Sequence, residues 1–261
     1  MNILFWNLNK KPQNRIIQQL IRTRHIDIAL FAESKAGDIE LLANQLPMFG
    51  FIDTTGCNKI KAICKKQFYC TVRRTQDRYV IISLASKEES LLITGLHLTA
   101  QQDVKGKREF DARRIVSDVV EAESDTGIDK SIVIGDFNAS PFDGVLIEPD
   151  CFNSVLYKNL ILKRETIVWN KTIFKRFYNP VLDFISERTM MYGSLYHNKY
   201  PPYWHCLDQV IMRKALLPFF KKMEYVKRVA DASLLTNYGI VDKRFGDHLP
   251  LLVKLTATNI L

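Results

Sequence analysis

The stretch "SIVIGDFNASPFD", residues 131–143, places the apolar run Ile132–Ile134 directly before a Gly-Asp-Phe-Asn turn and a proline. A run of β-branched residues bounded by turn formers reads as a buried strand. Alternation along that strand predicts Asp136 and Asn138 on one face and Phe137 on the other, in the core. A carboxylate and an amide that converge where a strand runs out have the geometry of a site.

The flanking sequence supplies the scaffold. Before this strand, "KREFDARRIVSDVVEAE" (107–123) predicts a helix with Phe110, Ile115, Val119 and Val120 stacked along one side and basic residues along its start. Strands are expected at "FYCTVRR", "YVIISLAS" and "LLITGLHL". At the N-terminus "NILFW" and "IDIALFAES" read as strands around the amphipathic "QNRIIQQLIRTRH", whose Ile16, Ile17, Leu20 and Ile21 share a face. Short apolar runs alternating with amphipathic stretches predict an α/β fold with helices packed on sheets. Residues 142–206 loosen into an aromatic and basic segment punctuated by Pro and Gly, the kind of region in which loops carry specificity. Regular structure returns with "CLDQVIM" and "DHLPLLVKL". With no Pro/Ser-rich linker, repeat or low-complexity stretch, residues 1–261 read as one domain.

The chain has 261 residues, 47% of them hydrophobic and 25% charged, a composition that excludes a disordered chain. Its 37 Lys and Arg against 28 Asp and Glu leave a formal charge of +9. That balance favours a polyanionic partner, nucleic acid or an anionic headgroup, although a solubility surface has the same signature. Five cysteines without a Cys-x-x-Cys pair argue against a disulfide framework and for a reduced, cytoplasmic setting. The start of the sequence lacks the pattern of a signal peptide, and no run of 18 apolar residues predicts a transmembrane helix.

Eight polar residues border the apolar strands: Asn7, Glu33, His97, Asp136, Asn138, Asp208, Asp247 and His248. Singly, each reads as a turn former at a strand end. Together, oxygen donors of the Asn7, Glu33 and Asp247 type suit Mg²⁺, which keeps several waters and takes only one or two protein carboxylates. Two histidines near carboxylates suit proton transfer or the clamping of a charged phosphate near neutral pH. No His/Cys cluster of zinc spacing and no Gly-x-x-x-x-Gly-Lys loop is present.

In order along the chain, "FWNLN", "LFAES", "GLHLTA", "IGDFNASP", "CLDQV" and "FGDHLP" resemble the motifs of the endonuclease/exonuclease/phosphatase superfamily of Mg²⁺-dependent phosphoesterases, over residues 2–255. The resemblance implies a DNase I-like four-layer α/β/β/α sandwich, two packed mixed sheets flanked by helices, with the site at the sheet ends. It implies Glu33 as the Mg²⁺ ligand, with Asn7 close to metal or phosphate and Asp247 contributing; Mn²⁺ accepts the same oxygen ligands. Asp136 would orient or deprotonate the attacking water, and Asn138 would position phosphate oxygens. His248 would donate to the scissile phosphate with its tautomer held by Asp208, and His97 would be the second imidazole. The sequence lacks the Tyr-x-Pro-Asn stretch of abasic-site endonucleases and the Pro-x-Trp-Cys-Asp-Arg motif of inositol 5-phosphatases, and is similar to the loosely defined bacterial members.

For the substrate, Lys105, Lys107, Arg108, Arg113 and Arg114 follow the His97 strand, and Lys163, Arg164, Lys171, Lys175 and Arg176 interleave with Trp169, Phe174, Phe177 and Tyr178. Basic residues that track a phosphate backbone, with rings that stack on bases, predict a nucleic-acid groove and a nuclease acting on DNA or RNA. The bland reading makes the rings core and the charges a solvated face. A phosphatase or phosphodiesterase for a small or lipid phosphate is the alternative function. A catalytically dead binding module would not need both histidines and Glu33, and an interaction protein of another fold does not explain the motif order.

Overall fold

The computed structural model describes residues 1–256 except 88, 101–105, 187–192 and 198–202. The first half of the chain forms β1 (Asn2–Asn7), α1 (Asn14–Arg24), β2 (Ile28–Ala32), α2 (Asp38–Asn44), β3 (Phe49–Ile52), β4 (Ile60–Lys65), β5 (Tyr69–Gln76), β6 (Tyr79–Ala85) and β7 (Ser90–His97). There follow α3 (Lys107–Thr126), β8 (Ser131–Asp136), α4 (Gly144–Ile147), β9 (Ser154–Val155), α5 (Lys158–Lys163), β10 (Thr166–Trp169), β11 (Thr172–Lys175), β12 (Phe177–Tyr178) and α6 (Val181–Ser186). The last elements are β13 (Leu195–His197), β14 (Tyr203–His205), β15 (Asp208–Met212), β16 (Phe220–Tyr225), β17 (Arg228–Val229), β18 (Ala232–Ser233) and β19 (Leu251–Leu255).

Two mixed sheets result, one ordered β16-β19-β1-β2-β4-β3 and the other β5-β6-β7-β8-β15-β12-β9. In each, a central parallel pair, β1 with β2 and β7 with β8, has antiparallel neighbours, and β9 pairs parallel with β12 at the edge of the seven-stranded sheet. The sheets stack face to face, with β1 against β8, β2 and β4 against β7, and β19 against β15. Strands buried on both faces need apolar residues at every position, which is why "NILFW" and "SIVIG" read as continuous apolar runs. The larger core fills the space between the sheets and under α1; a second core, with Leu96, Val133, Phe137 and Ile211, lies between the seven-stranded sheet and α3. This is the four-layer arrangement of helices around two packed sheets that the motifs imply. No helix among the described residues is long and apolar enough to cross a membrane.

In α1, Ile17, Leu20 and Ile21 are buried as expected, Arg22 and Arg24 occupy the last turn, and His25 ends the helix in the left-handed region. The face of α3 differs from the expectation. Ala112, Ile115, Val119 and Ala122 turn to the sheet, and Phe110 is 63% exposed and Val120 43%. The reason is rotational: Phe110 is two residues, about 200°, from Ala112 around the axis. Small Ala112 and Ala122 let the helix approach the sheet, and each fully buried Ile or Val beside them contributes about 1.5–3 kcal/mol.

Two glycines of the sequence motifs have packing reasons. A Cβ on Gly135 would fall 2.0 Å from the Leu96 carbonyl oxygen of the paired strand; one on Gly95 would fall 2.4 Å from Cδ2 of Leu30 in the facing sheet. Backbone cannot yield as a leucine tip can. Gly135→Ala is therefore expected to destabilise the protein by about 1–3 kcal/mol and by more than Gly95→Ala. Urea melts of both variants decide it, and a harmless Gly135→Ala would contradict the packing.

Candidate active site

Pairing register assembles the centre of the cluster. His97 of β7 is the register partner of Asp136 of β8, which is the partner of Asp208 of β15. Residues in one row share a face, and this face looks toward the six-stranded sheet. From that sheet, Asn7 ends β1 and Glu33 follows β2, while Asp247 and His248 lie just before β19. Seven of the eight polar positions thus meet at one end of the sandwich.

The contacts are close. The Asn7 Nδ2–H₂ donates to Asp136 Oδ2 at 3.1 Å and to Glu33 Oε1 at 3.3 Å. His97 Nε2 lies 3.2 Å from Glu33 Oε1 and 3.6 Å from Asp136 Oδ2. His248 Nδ1 is bonded to Asp208 Oδ2 at 2.6 Å, leaving Nε2 4.0 Å from both Asp136 Oδ2 and Asp247 Oδ1. Asn7 thus turns its amide nitrogen to the carboxylates, and its oxygen accepts the Asn9 N–H at 3.0 Å.

Asn138 reaches the site by turn chemistry. β8 stops at Asp136 and Asn138 adopts φ +46°, so strand alternation does not extend to it. Its N–H donates to Asp136 Oδ1 at 2.9 Å and its amide to the Leu98 carbonyl at 2.9 Å, which fixes the carboxylate after the strand ends. Glu33, at φ +50°, is a second non-glycine residue in the left-handed region. Such conformations persist only where the surroundings over-determine them.

Charge follows from the contacts. The hydrogen bond from His97 is the main reason the Glu33 carboxyl falls to about 2, against the opposing effect of burial. Burial, then the neighbouring Asp208, pushes the Asp136 carboxyl up. Burial also acts against a charged His248, but Asp208 by charge and hydrogen bond, with Asp136 and Asp247, carries that imidazole up to about 10.

Several supports had no signal in the sequence. Tyr225 donates its hydroxyl to the Asp208 carbonyl at 2.6 Å, and the Ser194 hydroxyl oxygen accepts the Leu207 and Asp208 N–H groups at 3.1 and 3.0 Å. Trp6 Nε1–H donates to the His248 carbonyl at 2.9 Å. Only Trp6 adjoins a motif residue.

Several of the basic and aromatic residues expected to line a nucleic-acid groove are committed elsewhere. Arg108 is buried and donates to the Asn138 carbonyl, Arg113 pairs with Asp150 at 2.7 Å, and Lys105 lies outside the described residues. Phe177 and Tyr178 are core. The β10–β11 hairpin with Trp169 and Lys171 joins the sheet beside Arg213 and Ser131, the end of β8 and β15 remote from Asp136 and Asp208.

The donor set fits a hard cation. Asp136, Asp208 and His248 offer ligand atoms within 4.8 Å of one another, but Asp208 Oδ2 is already taken by His248. Nearby, Glu33 is half-exposed, and Asp247 Oδ1, like Asp208 Oδ1, is buried with no hydrogen-bond partner among the described residues. An orphaned buried carboxylate oxygen is what a divalent ion would satisfy.

Two mixed sheets flanked by helices, with carboxylates and imidazoles gathered at one end, define a phosphoester hydrolase of DNase I-like architecture. The sequence places it more closely: the model of the Endonuclease/Exonuclease/phosphatase family matches residues 4–248, and the chain belongs to that family. Its members hydrolyse phosphoesters and generally use divalent metals. Similar solved structures include a mannosyl-6-phosphatase of Bacteroides thetaiotaomicron (13% identity, TM-score 0.65, covering 98% of this chain and 100% of that one). D. rerio TDP2 complexed with a single-strand DNA product is also similar (14%, TM-score 0.62, 98% and 99% covered). So is a 3'-5' exonuclease of Neisseria meningitidis (15%, TM-score 0.58, 98% and 100%). At these identities the likeness is one of fold. No curated protein matches the chain by sequence.

The pH dependence of stability tests the Asp208–His248 bond. A histidine whose folded pKa of about 10 exceeds its ordinary 6.5 adds stability that is fully present below pH 6.5 and is lost as pH rises through 10. The stability gap between wild type and Asp208→Asn is expected to be widest at pH 6 and to shrink toward pH 10. A gap independent of pH in urea melts would contradict this electrostatic account.

Proposed function

We propose that this protein is a nuclease that hydrolyses phosphodiester bonds of DNA or RNA, with Mg²⁺ or Mn²⁺ at Glu33 and Asp247 and residues 1–261 acting as one domain. The observation that carries the reading is the buried Asp208–His248 pair, whose free Nε2 faces the carboxylate of Asp136 in a cluster closed by Asn7, Glu33 and His97. Bound there, the ion would withdraw charge from a phosphate oxygen and make a bound water more acidic.

The chain's own groups do the rest. With Nδ1–H given to Asp208, His248 presents Nε2–H to the substrate, and its raised pKa keeps it charged at neutral pH. It donates to a non-bridging phosphate oxygen, where negative charge grows during in-line attack. Asp136 takes the proton of the attacking water; its raised pKa makes it a stronger base than an exposed aspartate. Asn138 holds that carboxylate through its N–H. Asn7 ties Asp136 to Glu33, and His97, anchored on Glu33, serves as the second donor near the leaving group.

A polymer substrate is supported by exposed Lys10, Lys35, Lys107 and Lys243, on the segments next to the ends of β1, β2, β7 and the Asp247 loop. Exposed cations on segments flanking the cluster suit successive phosphates. Two of the similar structures bear on nucleic acid by name, the exonuclease and TDP2 with DNA. A phosphatase or phosphodiesterase for a small or lipid phosphate is the second reading. What favours it is the position of the β10–β11 segment, whose basic and aromatic residues lie away from the cluster.

Labelled single- and double-stranded DNA and RNA, incubated with Mg²⁺, distinguish the readings. Cleavage is expected to vanish with EDTA and in Glu33→Ala and Asp136→Ala, and to fall about 10²–10³-fold in His248→Ala. Hydrolysis of small phosphate esters without cleavage of any polymer would select the second reading. Near-wild-type cleavage by Glu33→Ala or His248→Ala would refute both.

A further inference from the structure

Residues 157–176 take no part in the site, yet they carry a dense set of exposed apolar side chains. The hairpin of β10 and β11 turns through Asn170 and Lys171, both with positive φ, as a type I′ turn requires. Its register pairs Ile167 with Phe174 and Val168 with Ile173. Paired residues share a face, so Ile167 and Phe174 form one face and Val168 and Ile173 the other. The first pair is half-buried; in the second each residue is 67% exposed, and Trp169 beside the turn is 50% exposed. In α5 just before, Ile161 is buried while Leu160, Leu162 and the preceding Tyr157 are exposed. An isolated two-stranded hairpin is marginally stable in water, and one with apolar pairs on both faces leaves an outward pair for something else to cover.

Charge narrows the choice of cover. Lys158, Lys163, Arg164, Lys171, Lys175 and Arg176 against Glu165 alone give this segment +5 of the chain's +9. A second copy meeting it through a two-fold contact would set like charge against like. Nucleic acid would meet the charge, but stacking needs rings, and Val168, Ile173, Leu160 and Leu162 are aliphatic. A lipid surface answers both features: hydrocarbon for the aliphatic side chains, an interfacial position for Trp169, and anionic headgroups for long basic side chains that reach outward.

We propose that residues 157–176 form an anchor for anionic membrane surfaces, with Val168 and Ile173 entering the acyl boundary, Trp169 beside the turn lying at the interface, and Lys163, Arg164 and Lys171 meeting lipid phosphates. The anchor joins the seven-stranded sheet at the Ser131 end of β8, five residues and about 17 Å along the strand from Asp136. The catalytic cluster therefore stays off the lipid surface, open to substrate in the aqueous phase.

The test is co-sedimentation of the full chain with vesicles of phosphatidylglycerol and phosphatidylcholine, beside vesicles of phosphatidylcholine alone. Wild type is expected to pellet with the anionic vesicles and not with the neutral ones. The double variant Val168→Ser/Ile173→Ser, with an unchanged circular dichroism spectrum, is expected to bind them more than about tenfold more weakly, and Lys171→Glu to weaken binding further in low salt. Equal pelleting of wild type and double variant, or none with anionic vesicles, would overturn the proposal. So would loss of a dimer, or of nucleic-acid retention, in the double variant while vesicle binding is unchanged.

Discussion

The hydrogen bond between His248 Nδ1 and Asp208 Oδ2 holds the functional end of this molecule together, because its two partners belong to different sheets. Asp208 opens β15 of the seven-stranded sheet, and His248 lies three residues before β19 of the six-stranded one. The bond is buried and charge-assisted, which makes it short and strong, and each partner is secured from its own side. Tyr225 and Ser194 hold the backbone of Asp208, while Trp6 and the bridge to Leu195 hold that of His248. Loss of this link would let the sheets splay where Asn7 and Glu33 from one must meet Asp136 and His97 from the other.

Four carboxylates and two imidazoles packed at one end of a folded chain would be costly if left unpaired. Here each is bound into a chain of contacts, and the neutral amide of Asn7 separates the two carboxylates that come closest to His97. Within the cluster, three buried atoms have no hydrogen-bond partner among the described residues: Asp247 Oδ1, Asp208 Oδ1 and His97 Nδ1. A cation therefore adds to a balance that the protein has nearly completed through its own hydrogen bonds.

Much of this was legible in the chain. Buried central strands produce unbroken apolar runs, and a polar residue at the end of such a run marks the sheet edge, which is how Asn7, Glu33, His97 and Asp136 stand out. Alternation does not describe Asn138: an Asx turn brings its N–H to Asp136 while its side-chain amide donates to the Leu98 carbonyl. Periodicity misplaces the face of α3 because Ala112 and the buried Arg108 carry little hydrophobic signal, whereas Phe110 carries much. Ser194 and Tyr225 could not be read at all, because their roles arise from pairings between distant segments. The basic and aromatic segment was legible in kind but not in place, since strand direction in β12 and β15 decides at which end it emerges.

Glu33 is held in a backbone conformation that glycine or asparagine would adopt with less strain. The strain is about 1–3 kcal/mol, comparable to what a protein gains from a good stabilising substitution. Evolution under heat alone would therefore erode position 33, replacing the carboxylate with a residue that relaxes the turn after β2. A library of this protein selected for thermal survival would shed its metal-ligand candidate before it lost any part of its core.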